Sequence, residues 1–319
     1  MKSNLDLVNE CDNFPYYENN PKRYINFLSS YWEFHLRGGG GPHGLIADSI
    51  VTEMPFNESW LVENQPNKRV TVHGPGDQEQ IIKEILETAR GRDIFRVLRG
   101  WRSELYPVHG HRDSDADTIS MERAGTALFG INTYGVHMTM YTKTSKGMQI
   151  WVPRRAKSKQ TYGGMLDNSV AGGLSTGEIP IECMIREAAE EASLPEELVR
   201  ANAKPCGTVS YVHVRDERAG GEIGLIQPEC QYVYDLEVQS DVVPRPGDNE
   251  VEDFYLWTID EVRRSLAAGE FKPNCAAVLL DFFVRHGILT PEVEPHYIEI
   301  VSRLHRKLPF PTSQENLST

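Results

Sequence analysis

No run of this 319-residue chain approaches the about 20 apolar residues that a membrane helix needs. Cysteine is scarce: five residues (Cys11, Cys183, Cys206, Cys230, Cys275), odd in number, widely spaced, with no Cys-x-x-Cys. That excludes a disulfide framework and fits reduced thiols in the cytoplasm, or in the nucleus. Positive charge is in deficit, with 33 Lys and Arg against 46 Asp and Glu and a net charge of −13, spread over both halves. Bulk binding to nucleic acid or to an anionic membrane is therefore not expected. The first ten residues, Met1-Lys2-Ser3-Asn4-Leu5-Asp6-Leu7-Val8-Asn9-Glu10, carry no apolar signal core and are not Arg/Ser-rich, so no leader is expected.

What is present describes a globular protein. Hydrophobic residues make up 39% of the chain, and its length leaves room for two ordinary domains. The densest chemistry lies in residues 172–194. Glycines Gly172 and Gly173 come first, then Glu178, then Arg186-Glu187-Ala188-Ala189-Glu190-Glu191. Ile181, Met184, Ile185, Ala188 and Ala192 follow helical spacing and form one apolar stripe. Pro180 is tolerated in a first turn, and Pro195 stops the helix. Glu187, Glu190 and Glu191 then share a helix face, where like charges repel by a few tenths of a kcal/mol, roughly, per pair. A cation removes that conflict, and hard oxygen donors suit Mg²⁺ or Mn²⁺ bridging to phosphates. Arg186 reaches Glu190, and Glu178 too if the loop folds back. Taken alone, an Arg-Glu-x-x-Glu-Glu string also fits a solvated acidic helix face. The glycines and Glu178 upstream favour the metal reading.

An anionic substrate in an acidic chain needs a local basic site. Arg154, Arg155, Lys157 and Lys159 lie within Trp151-Val-Pro-Arg-Arg-Ala-Lys-Ser-Lys159. A solvated turn is the plain reading; a clamp on phosphate is the functional one, since arginine suits bidentate phosphate contact. Glu250 and Glu252, in an acidic turn, are candidates for an additional acid or base. His109-Gly-His111 is a pair without a third ligand at known spacing, and reads as a surface turn. Trp32, Trp60, Trp101, Tyr162 and Tyr211 could face an organic ring, but none is assigned.

Along the chain, residues 1–20 read as polar and frayed. Residues 21–36 read as one amphipathic helix, with Tyr24, Phe27, Leu28, Tyr31 and Trp32 as its stripe. A glycine loop follows at 38–42. Residues 45–52 and 60–72 read as strands, 77–90 as a helix and 104–118 as a polar loop. Strands are expected at 130–142, 149–152, 207–213, 229–237 and 254–258, and helices at 181–192, 259–268, 275–286 and 297–306. The expected organisation is an N-terminal α+β domain over 1–125, a catalytic domain over 126–290 and a C-terminal helical extension over 291–319.

The 172–194 segment resembles the Nudix box, Gly-x5-Glu-x7-Arg-Glu-U-x-Glu-Glu-x-Gly-U, where U is aliphatic. Gly172, Glu178, Arg186, Glu187, Ala188, Glu190, Glu191 and Leu194 stand in register, and Ser193 replaces the final glycine. That departure suggests a different helix exit and spares every carboxylate. The resemblance implies an α/β/α sandwich with a mixed sheet, preceded by a smaller α+β domain. It implies metal ligation by Glu187, Glu190 and Glu191, with Arg186 and Glu178 locking loop to helix.

The likeness narrows further. The basic run, Met165-Leu-Asp-Asn-Ser-Val-Ala-Gly-Gly173, Glu222-Ile-Gly-Leu-Ile-Gln-Pro-Glu229, Lys272-Pro-Asn-Cys-Ala276, Asp281-Phe-Phe-Val-Arg-His-Gly287 and Leu308-Pro-Phe-Pro311 resemble a fungal and plant Nudix branch. That branch is sometimes fused to thiamine pyrophosphokinase and carries its own N-terminal domain. The resemblance implies hydrolysis of thiamine diphosphate, and preferentially of its damaged oxo and oxy analogues, to the monophosphate. Another nucleoside diphosphate-linked substrate such as ADP-ribose is the alternative. A non-catalytic diphosphate-binding module is a third reading, against which the intact carboxylate set argues. The expected partner is a small-molecule diphosphate; monomer and homodimer are both open.

Overall fold

The computed structural model describes residues 1–110, 118–145 and 147–313. By its internal contacts the chain forms two compact units. One comprises Met1–Asn13, Tyr134–Tyr211 and Cys230–Lys307; the other comprises Phe14–Thr133, Val212–Glu229 and Leu308–Thr319.

The first residues are not frayed. Helix α1 (Asn4–Cys11) is closed by a capping box in which the Ser3 side chain accepts from Asp6 N and Asp6 accepts from Ser3 N. Its Leu7, Val8 and Cys11 are buried, so packing holds what a polar composition hides.

In the unit that starts at Phe14, the expected helix over 21–36 is two elements. Helix α2 (Pro21–Leu28) ends at Ser29, and strand β1 (Tyr31–His35) follows. The aromatic stripe fits helix spacing, but β1 gains two strand partners that no local pattern displays. It pairs antiparallel with β2 (Gly44–Ala47) and parallel with β4 (Arg69–Val72), which itself pairs with β3 (Trp60–Glu63). The sheet order is β2-β1-β4-β3. Residues 45–52 are therefore not one strand: β2 stops at Ala47 and helix α3 (Asp48–Glu53) begins with an acidic first turn. Residues 60–72 are likewise a hairpin, β3 and β4, turning through the Asn/Pro-rich 64–68. Helix α4 (Gln78–Gly91) buries Ile81, Ile82, Ile85, Leu86 and Ala89, as its 3.6-residue spacing predicts. Strands β5 (Leu105–Pro107) and β6 (Ser120–Glu122) pair antiparallel, so the polar loop begins later than expected. Helix α5 (Thr126–Phe129) closes the run. His109 is half-buried, and His111 lies outside the described residues.

The other unit is the expected sandwich. Its six-stranded sheet runs β10-β11-β7-β8-β12, with β9 paired to β7. The strands are β7 (Thr133–Thr144), β8 (Gly147–Arg155), β9 (Val170–Gly173), β10 (Lys204–Val214), β11 (Ile226–Glu237) and β12 (Val251–Thr258). The two-residue alternation of a strand sorts its side chains between two cores. Val136, Met138, Met140, Trp151 and Leu236 face helix α6 (Pro180–Ala192) and helix α7 (Glu196–Asn202). Tyr141, Ile150, Val152 and Val233 face the opposite layer. That layer holds α1, α8 (Ile259–Ala268), α9 (Pro273–Arg285) and α10 (Tyr297–Arg303). Helix α9 is buried nearly all round, from Pro273 to Phe283, which fixes its first turn deep in the unit.

Candidate active site

Strand β9 pairs antiparallel with β7, placing Ala171 opposite His137 and Gly172 opposite Val136. The chain then turns through 174–179 and enters α6 with Pro180 in the first turn. Of the predicted stripe, Met184, Ile185, Ala188 and Ala192 are buried and Ile181 is half-buried. That burial turns the polar face of α6 back onto β9 and its loop.

Arg186 ties the loop to the helix. Its Nε donates to Glu178 Oε1 at 2.9 Å and its Nη2 to Glu178 Oε2 at 3.2 Å, a two-pronged contact. Its Nη1 donates to Glu187 Oε1 at 2.8 Å and to Glu190 Oε2 at 3.2 Å. Hydrogen bonding to Glu178 raises the proton affinity of the guanidinium. Burial alone would raise the Glu178 carboxyl, but the Arg186 and Ser175 N–H groups hold it below its ordinary value.

The three box glutamates have different surroundings. Glu187 lies against Gly172: a Cβ built on Gly172 would fall 2.1 Å from its Cδ. Glu191 is half-buried, and its Oε2 accepts from Ala171 N at 3.0 Å. Burial, with Asp167 and Glu187 close by, pushes its carboxyl up to about 8. Glu190 is 54% exposed and leans toward Arg186. Among the described residues no group of three or more His, Cys, Asp or Glu stands ready-made around a metal position. The donor chemistry still fits a hard divalent cation. Glu187 and Glu191 converge on adjacent residues of β9, and a cation would favour the ionised form of a half-buried carboxylate set beside other carboxylates.

The helix exit corrects the sequence expectation. Ser193 does not redirect the chain: it takes the left-handed conformation (φ 53°) that the usual glycine would take. Ser193 N donates to Ala189 O at 3.2 Å and Leu194 N to Ala188 O at 3.1 Å. The segment before β12 covers the same helix end, with Arg245 N on Ala192 O at 3.0 Å and Gly247 N on Glu191 O at 3.3 Å. A Cβ on Gly247 would sit 2.2 Å from Glu190 O, so only glycine permits this approach.

The basic run is not a solvated turn. Its first half continues β8, paired with β12. Arg154 Nη1 donates to Gly164 O at 2.8 Å, and its guanidinium lies 6.0 Å from the Tyr255 ring centroid. Arg155 is buried; its Nη1 meets Asp167 Oδ2 at 2.5 Å and its Nη2 donates to Thr161 O at 3.1 Å. Lys159 is ion-paired with Glu250, and Lys157 is exposed. Arg155 and Lys159 therefore spend their charge inside the protein, against the expectation that all four cations face phosphate. Glu250 is engaged by Lys159, while Glu252 is exposed on β12. Gly173 pairs with Gly135, and its carbonyl accepts from Cys183 Sγ at 3.3 Å.

Sequence reasoning missed a buried polar network behind β9. Asp167 Oδ1 accepts from Cys275 Sγ at 2.7 Å and from Asn168 N at 2.8 Å. Asn168 Oδ1 is 2.7 Å from His137 Nδ1, and Asn168 Nδ2 donates to Cys275 O at 3.3 Å. Burial pushes the Asp167 carboxyl up, but Arg155 and then Lys272 overcome it and hold it well below its ordinary value. Three polar residues in a row, Asp167-Asn168-Ser169, between Leu166 and Val170 were the available signal.

Residues 133–276 match the NUDIX domain, and residues 67–133 match a domain of unknown function, DUF4743. An uncharacterised protein of Saccharomyces cerevisiae is 44% identical over 97% of this chain and 92% of its own length. Nudix hydrolase 20 of Arabidopsis thaliana, named as chloroplastic, is 34% identical over 73% of this chain. The chain spans only 59% of that plant protein. Among solved structures, DR0079 from Deinococcus radiodurans has 25% identity and a TM-score of 0.37, over 53% of this chain and 91% of its own. Nudix hydrolases as a family act on nucleoside diphosphate-linked compounds and generally use a divalent metal. With the box residues in place on a Nudix sandwich behind a DUF4743 region, this chain belongs to that family and is a Nudix hydrolase.

Proposed function

We propose that the protein is a Mg²⁺- or Mn²⁺-dependent diphosphatase that cleaves thiamine diphosphate, and preferentially its oxo and oxy analogues, to the monophosphate and phosphate. The observation that carries the diphosphatase reading is the convergence of Glu187 and Glu191 on Ala171 and Gly172, with Arg186 braced by Glu178. The thiamine half of the reading is supported by the segments quoted above, from the basic run to Leu308-Pro-Phe-Pro311.

Glu187 and Glu191 would hold the cation, with Glu190 joining by a change of rotamer. When bound, the ion neutralises charge on the diphosphate and acidifies water. The protein's own contribution is positioning. Glu178 fixes Arg186, Arg186 orients Glu187, and the Ala171 N–H holds Glu191. Desolvation beside Asp167 and Glu187 raises the proton affinity of Glu191, and a bound cation would favour its ionised form. Glu252 is the exposed carboxylate left to serve as an additional acid or base, since Glu250 is paired with Lys159. The proposed setting is the cytoplasm or the nucleus, supported by five free cysteines.

The test is phosphate release with Mg²⁺ from thiamine diphosphate, oxothiamine and oxythiamine diphosphates, and ADP-ribose. Faster turnover of the oxo and oxy analogues is the expected result. Strong preference for ADP-ribose would transfer the reading to that alternative substrate. No metal-dependent turnover of any of them would leave a diphosphate-binding module.

A further inference from the structure

We propose that Ser169 is a positioning residue for the metal site. Its hydroxyl joins β7 to β8 where the chain crosses between them, and so fixes the register that brings Ala171 and Gly172 against Glu191 and Glu187. The proposal rests on the metal half of the reading above and assigns a residue outside both the box and the basic run.

Strands β7 and β8 pair in a register that runs from Thr144 opposite Gly147 to Tyr141 opposite Ile150. One further step of that register would set Met140 against Trp151. Ser169 stands between those two. Met140 N donates to Ser169 Oγ at 2.8 Å, and Ser169 Oγ donates to Trp151 O at 2.6 Å. A single hydroxyl thus takes the N–H and serves the carbonyl that a continuing antiparallel ladder would join directly.

The chain enters this fork along one strand and leaves along the other. Before it, Arg155 N donates to Met165 O at 2.9 Å and Asp167 N to Pro153 O at 3.0 Å, so residues 165–167 follow β8. After it, Val170 to Gly173 pair with Met138 to Gly135 of β7. Asn168 and Ser169 make the crossing. Asn168 anchors it from behind, with Nδ2 donating to Cys275 O at 3.3 Å and Oδ1 2.7 Å from His137 Nδ1. Ser169 bonds to both strands of the fork and sets where β9 begins.

The crossing ends two residues before Ala171. Ala171 N donates to Glu191 Oε2 at 3.0 Å, and Gly172 lies against Glu187. Side chains alternate along a strand, so a slip of one residue reverses both contacts. In one direction it would also put the Ala171 methyl where a Cβ falls 2.1 Å from Glu187 Cδ. Ser169 is 2% exposed and Met140 is fully buried, so bulk water cannot take the place of the hydroxyl. Without it, the buried Met140 N–H and Trp151 carbonyl are satisfied by closing β7 on β8, which removes the fork that seats β9.

The test uses the full chain and three readouts: Mn²⁺ affinity by electron paramagnetic resonance without substrate, steady-state kinetics, and thermal melting. Ser169→Ala should weaken Mn²⁺ binding and lower kcat/KM, each by about tenfold or more. Ser169→Thr, which keeps the hydroxyl, should bring Mn²⁺ affinity back to within about threefold of the wild type. Leu266→Ala, in the α8 layer, should lower the melting temperature at least as far and leave Mn²⁺ affinity unchanged. Wild-type Mn²⁺ affinity in a folded Ser169→Ala overturns the proposal. So does a loss of affinity in Leu266→Ala as large as in Ser169→Ala, because the effect would then follow stability alone. If Ser169→Ala does not fold, Ser169→Cys replaces it, since a thiol is a weaker donor and acceptor; wild-type affinity there overturns the proposal. A wild-type chain that binds no Mn²⁺ overturns the proposal and the metal assignment together. A wild type that binds Mn²⁺ but hydrolyses no diphosphate refutes the enzymatic reading alone, and the Mn²⁺ comparison then decides on Ser169.

Discussion

Gly172 and Glu187 occupy each other's space. A Cβ on the glycine would fall 2.1 Å from Glu187 Cδ and 2.2 Å from its Cγ. The atoms in the way belong to the far end of a side chain, so the fold can yield where the carboxylate cannot stay. Gly172→Ala should therefore cut kcat/KM by about a hundredfold or more while leaving the melting temperature within a few degrees, roughly. Parallel kinetics and thermal melts check this. A fully active Gly172→Ala would mean that Glu187 need not lie against β9.

The box glutamates should differ in weight. Chelation with EDTA should abolish phosphate release, and added Mg²⁺ should restore it. Glu191 is half-buried and accepts from Ala171 N, whereas Glu190 is 54% exposed beside Arg186. Glu191→Gln should thus cost about a hundredfold or more in kcat, and Glu190→Gln about tenfold. Equal losses would show that exposure does not rank them.

Asp167 should act on stability first. Replacing it by Asn leaves the Arg155 guanidinium buried without its anion, a change that costs about 3–5 kcal/mol in comparable pairs. The pH dependence follows the sign of its shift. Its folded affinity for protons lies below the ordinary aspartate value of 3.8. Its contribution is thus complete above that value and is lost as pH falls below it. Urea midpoints between pH 3 and 7 should show an acid limb in the wild type that is shallower in Asp167→Asn. Identical limbs would assign the acid sensitivity to other carboxylates.

Ser193 occupies a conformation that costs an L-residue energy and a glycine almost none. Ser193→Gly should stabilise the protein by about 0.5–1 kcal/mol, after the entropy that glycine adds to the unfolded chain. A denaturant midpoint that falls in Ser193→Gly would show that the hydroxyl contributes more than the strain removes.

Local patterns were legible wherever a single element decides its own burial. The stripe of α6 predicted which residues point inward, and α4 and α8 lie where their periodicities place them. The stripe from Tyr24 to Trp32 misled, because β1 is made by partners at 44–47 and 69–72. The basic run misled for a related reason. Arg155 and Lys159 look free in sequence, but Asp167 and Glu250 reach them only across the folded sheet.

The sequence by itself determined the chemistry of this protein. The order of glycine, glutamate, arginine and three further glutamates sets a carboxylate-rich helix behind a glycine strand, and short-range spacing is enough to specify that. Only the tertiary structure decided how those groups divide. It set Glu191 half-buried on Ala171 N, left Glu190 exposed, tied Arg155 to Asp167 and set Lys272 over Tyr162. The reason is physical: a charge's role depends on its desolvation and its nearest opposite charge, and both are set by residues distant in the chain.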